Sequence, residues 1–313
     1  MLISASPFIY CYRREKRKNK GVKMATFYNK ATLSYGGNVV NSNTTEAELL
    51  SGLGITKRAV TETYTAGSDV VYAVTLANMG SASYSALTIT DDLGAYTLPG
   101  GAVVVPLTYV TGSLLYYLNG VLQPTPVVVA AGNLSIEGIN LPSNSTATFI
   151  YAAAPNEFAP IAAGSVITNT ASTNGGVGIG EITATATVGV VESPELTIAK
   201  AVCPAVLNDN DRVTYTIIVQ NLGNIPIVAT DGVVISDVFN PVLSELAVEL
   251  NGVVLDEGTG YTYNTVSGEF SVVDGVITVP AATYVQDPVT GTVTTTPGVT
   301  VLTVIGRVYP DQN

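Results

Sequence analysis

Histidine is absent from the 313 residues, and with it the side chain that most often serves as general base or metal ligand near neutral pH. Cysteine occurs twice, at Cys11 and Cys203, which cannot supply a zinc framework. These two absences argue against a redox or metalloenzyme, and the expected protein is not an enzyme and has no cofactor and no metal. Charge is sparse at 12% of residues. No segment sustains an apolar period of 3.6, so almost no helix is expected. No apolar run reaches the roughly 18 residues that a membrane-spanning helix needs, so no membrane insertion is expected.

The few basic residues are unevenly placed. Arg13, Arg14, Lys16, Arg17, Lys18, Lys20 and Lys23 are seven of the 13 in the chain, all within residues 1–23. A secretory signal carries its charge before its apolar stretch, and here the order is reversed. Residues 1–23 are therefore expected to be a non-native leader from a mis-assigned start, with Met24 the true first residue; a partner-binding basic tail and an unusual targeting arm are the alternatives. The remainder keeps six basic against 23 acidic side chains, a net −17. That sign opposes phosphate contacts, and no nucleic-acid partner is expected. Val308–Asn313 has neither an apolar tail nor a sorting signal. The expected location is extracellular or on a spore or cell surface, with no signal peptide recognised.

Valine, threonine, tyrosine and isoleucine dominate what is present, with Gly and Pro recurring between them, a composition suited to strands and turns. The chain also repeats itself. Leu53, Ile55 and Lys57 reappear 143 residues later as Leu196, Ile198 and Lys200. At the same offset, Tyr72-x-Val74-x-Leu76-x-Asn78-x-Gly80 matches Tyr215-x-Ile217-x-Val219-x-Asn221-x-Gly223. Ile89-Thr90-Asp91 matches Ile235-Ser236-Asp237, and Leu118-Asn119-Gly120-Val121 matches Leu250-Asn251-Gly252-Val253. Alternation of period two predicts half-buried strands, and Asn-Gly predicts tight hairpin turns. The expected fold is all-β, two tandem immunoglobulin-like sandwiches at 53–192 and 193–313, preceded by an N-terminal segment at 24–52.

These motifs resemble the conserved repeat of bacterial and archaeal surface proteins known as domain of unknown function eleven. Three motifs carry the resemblance, in order and twice: the Leu-x-Ile-x-Lys strand, the Tyr-to-Asn-x-Gly strand, and the [Thr/Ser]-Asp that follows. They span most of residues 53–310. The resemblance implies an immunoglobulin-like extracellular module with a structural or adhesive role. The chain is also similar to members found in clostridial spore-surface appendages.

The repeats end differently. The first continues through Ile167–Ser172 and Gly175-Gly176 into Ile182–Val188, a closing pair of strands, whereas the second stops at Arg307-Val308-Tyr309-Pro310. A sandwich without its last strands leaves a bare edge. The missing ending recurs at the other end of the chain: Tyr28-Asn29-Lys30-Ala31-Thr32 resembles Thr168-Asn169-Thr170-Ala171-Ser172, and Gly36-Gly37 follows it. Residues 25–45, with Tyr28, Asn29, Ala31, Leu33, Val39 and Val40 as contacts, are read as donor strands for a second repeat; a disordered or locally packed arm is the alternative. About seven residues between Glu46 and Leu53 reach at most roughly 25 Å, which favours donation to another copy. The expected partner is thus the chain itself, in a head-to-tail homopolymer, because a heterologous contact that does not close makes filaments. A monomeric adhesin that grips a ligand through its loops is the alternative function.

Lys57 and Lys200 hold matching positions in a lysine-poor sequence. Some immunoglobulin-like surface domains join such a lysine to an Asn on a last strand by an isopeptide bond, with a buried acid relaying the proton. The resemblance puts Lys57, Asp91 and Asn169 in those roles in the first domain. In the second it puts Lys200, Asp237 and Asn29 of a neighbouring chain. The plainer alternative makes both lysines edge residues and both aspartates turn residues. Cys203 lacks a counterpart in the first repeat and is either a link between chains or a free thiol. Asp209, Asn210 and Asp211 are read as a turn rather than a calcium site.

Overall fold

The computed structural model describes residues 24–50, 52–174, 180–208 and 211–308. The expected leader at 1–23 lies outside them, as does most of the Asp209–Asp211 turn. Ala229–Asp231 is the one helical turn among the described residues, and no helix there is long and apolar enough to cross a membrane. The chain is all-β, as its composition requires.

The first domain packs two six-stranded sheets face to face. One sheet runs in the order Val121–Gln123, Leu115–Leu118, Ser145–Pro155, Val70–Asn78, Leu53–Ala59, with Leu107–Tyr109 also paired to Ser145–Pro155. The other runs Val127–Ala130, Leu134–Leu141, Tyr84–Asp91, Val166–Asn174, Glu181–Val190, Thr63–Tyr64. Alternate residues of the facing strands form the core, among them Tyr72, Leu76, Ile89, Ile136, Phe149 and Tyr151.

The second domain repeats five strands of that first sheet in the same order. Leu196–Cys203, Arg212–Asn221, Gly298–Val308, Leu243–Leu250 and Val253–Leu255 lie in that order, around a core that includes Val213, Ile217, Phe239, Phe270 and Leu302. Its other sheet has three strands, Ser236–Val238, Glu269–Val272 and Tyr261–Tyr263.

The repeated motifs have local causes. In both Asn-x-Gly turns the asparagine folds back on the backbone, Asn78 Oδ1 accepting from Gly80 N–H at 3.0 Å and Asn221 Oδ1 from Gly223 N–H at 2.8 Å. Gly223 must be glycine, because a Cβ there would lie 2.2 Å from the Ser193 carbonyl. Both Asn-Gly hairpins place two successive residues at positive φ, near 50° and 80°, as a type I′ turn demands.

The domains touch through polar contacts. Asn224 Nδ2 donates to the carbonyls of Ile161 and Val191 at 3.0 and 2.9 Å. From the second domain's Thr283–Gln286 hairpin, Gln286 Nε2 donates to the Tyr96 hydroxyl at 2.7 Å, and nearby Pro288 O accepts from Gly100 N–H at 2.7 Å.

Residues 24–50 form a long hairpin of their own. Met24–Asn29 pairs with Thr45–Leu50, Thr32–Tyr35 pairs with Asn38–Asn41, and Gly36-Gly37 makes the turn. Two residues, Ser51 and Gly52, separate it from Leu53. The Leu53–Ala59 strand starts beside Asn78 and ends beside Tyr72. Thr63–Tyr64 then meets Gly189–Val190, where the chain leaves for the second domain. The hairpin thus joins the first domain at the pole away from the second.

Candidate functional site

Lys57 sits on the inward face of the first strand of domain one, and burial takes its whole side chain out of water. Its Nζ is 2.6 Å from Asp91 Oδ2 and 4.8 Å from the centre of the Tyr72 ring. Asp91 ends the Tyr84–Asp91 strand of the opposite sheet and is also fully buried. The Tyr151 hydroxyl donates to the same Oδ2 at 2.5 Å. Asn169, on the neighbouring Val166–Asn174 strand, completes the group: its Nδ2 donates to the Tyr151 oxygen at 3.4 Å, and its Oδ1 is buried without a hydrogen-bond partner. The expected trio of Lys57, Asp91 and Asn169 is therefore brought together across the sandwich.

Desolvation pulls the Lys57 amine below the ordinary lysine range, against the opposing pull of Asp91. The same burial pushes the Tyr151 and Tyr72 hydroxyls well above the usual tyrosine range, so both keep their protons. The group thus sets an amine drawn below its ordinary range by burial, a carboxyl in contact with it, and a carboxamide with an unsatisfied carbonyl in one buried cluster. Tyr151 was not evident in the sequence as part of this group. The signal was there, since its strand register sets it opposite Tyr72, but strand pairing is not written in a single motif.

Lys200 and Asp237 repeat the pair in domain two and are in hydrogen-bonding contact. Lys200 Nζ lies 4.5 Å from the centre of the Tyr215 ring and 5.2 Å from that of Phe239. Two things differ. Val304 pairs with Tyr215 where Tyr151 pairs with Tyr72, so no hydroxyl bridges the group. The pair is also open to water, with 40% of the Lys200 side chain accessible. Among the described residues, no strand of domain two stands where Val166–Asn174 and Glu181–Val190 stand in domain one. The outer edge of Ser236–Val238 is consequently unpaired there, and an open groove lies across the three strands of that sheet, lined by Asp237, Tyr263 and Phe270 among others. Leu196, Ile198, Lys200 and Val202 share the inward face of their strand, yet Ile198 is 63% exposed. Their counterparts in domain one are covered by the closing strands.

The sequence-predicted donor residues lie elsewhere in the chain. Tyr28, Asn29, Ala31, Leu33, Val39 and Val40 are all exposed on the N-terminal hairpin. Asn29 pairs with Thr45 and Asn169 with Ala186, so the two hairpins have nearly the same span beyond the aligned asparagine. Cys203 is a free, exposed thiol at the end of the Leu196–Cys203 strand, and no cluster of metal-ligating side chains occurs among the described residues.

No protein-family model and no curated protein matches the chain. Solved structures do. The chain is similar to the major pilin subunit BcpA of Bacillus cereus, at 13% identity, covering 87% of this chain and 73% of the pilin with a TM-score of 0.32. It is similar to a C-terminal fragment of the major pilin of Streptococcus agalactiae, at 11% identity over 79% and 91% of the two chains, TM-score 0.33. The collagen-binding domain of the Erysipelothrix rhusiopathiae surface protein RspB matches at 11% identity, over 53% and 60%, TM-score 0.26.

Proposed function

We propose that the protein is a non-enzymatic structural subunit of an extracellular or spore-surface filament, assembled head to tail. The N-terminal hairpin of one copy supplies the closing strands of the second domain of the next. The observation that carries this is the contrast between the two domains: one sandwich closed by Val166–Asn174 and Glu181–Val190, the other with a bare Ser236–Val238 edge and an uncovered Ile198. Covering the half-exposed Leu196, Ile198, Val202 and Val238 would contribute on the order of 4 kcal/mol of apolar burial, beyond the backbone hydrogen bonds of the added strand. Donation to another copy is favoured because the hairpin joins domain one at the pole away from the second domain. The reading also includes a bond within domain one. Lys57 Nζ attacks Asn169 Cγ, the Nζ–Cγ bond forms as Cγ–Nδ2 breaks, Asp91 carries a proton from Nζ toward Nδ2, and ammonia leaves.

Deleting residues 25–45 should abolish filaments, seen by electron microscopy and light scattering, while a peptide of those residues binds the shortened protein one to one. Ile198→Glu should also block assembly without unfolding the monomer, since the side chain is already largely in water. Filaments formed by the deleted protein would overturn strand donation.

A further inference from the structure

The open pair in domain two carries a second consequence, which rests on the strand donation just proposed. We infer that Lys200 is a cross-linking residue, and that each junction of the filament is sealed by an isopeptide bond from Lys200 Nζ to Asn29 Cγ of the incoming hairpin.

The placement follows from register. In domain one Ala171 lies opposite Asp91 and Ser172 opposite Thr90, which sets Asn169, two residues before Ala171, against Tyr151 and through it against the Lys57–Asp91 pair. Ala31 and Thr32 correspond to Ala171 and Ser172, and Asp237 and Ser236 to Asp91 and Thr90. A donated strand in the same register puts Ala31 opposite Asp237 and brings Asn29 to the Lys200 amine. Asn29 is exposed, whereas Asn169 is fully buried between the sheets, so Asn29 can be delivered by a strand arriving from outside.

The chemistry needs no further reagent. Asp237 accepts a proton from Lys200 Nζ, the neutral amine attacks Asn29 Cγ, and a new C–N bond forms. The Cγ–Nδ2 bond breaks as Asp237 returns that proton to the departing nitrogen; Asp237 then takes the second proton from the new amide nitrogen and passes it to the ammonia, which leaves as ammonium. Before assembly the pair is hydrated, and among the described residues the hydrogen-bond partner of Lys200 is Asp237 and not a carboxamide. The arriving hairpin would exclude water from a pocket already walled by Tyr215 and Phe239, and desolvation favours the neutral amine. The reaction is thereby confined to assembled junctions. Val304, in the position of Tyr151, leaves Asp237 as the sole proton carrier.

The test uses filaments of the full chain boiled in denaturing detergent with reductant. The expected result is a ladder of covalent multimers and a joined peptide linking Lys200 to Asn29, lighter by one ammonia than its parts. Asn29→Ala, a change on the exposed hairpin, and Lys200→Arg should each still assemble yet collapse the ladder to single chains. Asp237→Asn should slow ladder formation by roughly tenfold or more. Filaments that dissolve to single chains would overturn the bond and leave strand donation standing. Absence of filaments would overturn both. A ladder that disappears with reductant or with Cys203→Ala would place the link on the thiol and overturn the lysine assignment.

Discussion

Asn169→Ala separates a covalent from a noncovalent role for the buried group more cleanly than any other change. As a hydrogen-bonding residue Asn169 contributes little: one long contact of 3.4 Å to Tyr151, and a buried carbonyl oxygen with no partner. Truncating it keeps the Lys57–Asp91 contact and removes an unsatisfied acceptor, so a purely noncovalent site would lose at most about 1 kcal/mol. If Lys57 and Asn169 are joined, the variant opens a loop of about 110 residues. By analogy with a disulfide of that span, the lost constraint on the unfolded chain is worth about 5 kcal/mol. For a domain of this size that corresponds to a fall of roughly 15–20 °C in its melting temperature. Calorimetry of the full chain should show this fall in the domain-one transition with the domain-two transition unmoved. Mass spectrometry of the parent should find Lys57 and Asn169 peptides joined and one ammonia light. A melting shift under about 5 °C, with the parent at its full sequence mass, would refute the bond in domain one.

Asn78 is almost fully buried and donates to the carbonyls of Ala82 and Pro142 at 2.8 Å and of Leu141 at 3.2 Å. Asn78→Ala should destabilise domain one by about 2–4 kcal/mol in denaturant titration, because it orphans several backbone groups at once. Tyr64 donates its hydroxyl to the Pro160 carbonyl, and burial pushes its pKa up to about 12 from an ordinary 10.0. A raised pKa gives stability that is complete below pH 10 and lost as pH rises toward 12. Tyr64→Phe should therefore flatten the alkaline fall in domain-one stability between those values, by about 2–3 kcal/mol; an unchanged slope would count against the buried hydroxyl.

The sequence alone determined the fold class and the strands that recur in both repeats. Period-two alternation in Tyr72–Leu76 and Tyr215–Val219, Asn-x-Gly and Asn-Gly turns, and the 143-residue repeat are local signals, each with a local physical cause in backbone conformation or side-chain alternation. They were enough for an all-β chain with two related sandwiches, and the matching lysines and aspartates could be paired because each stands at a fixed place in its repeat. What the sequence could not settle was which groups meet through the third dimension. Tyr151 joins Lys57, Asp91 and Asn169 only because a strand register sets it opposite Tyr72 and the two sheets close over it. The contrast between a lysine sealed from water at position 57 and a hydrated one at position 200 also arose only in the tertiary structure. Burial depends on what covers a strand, and among the described residues no closing strands of its own domain cover Leu196–Cys203.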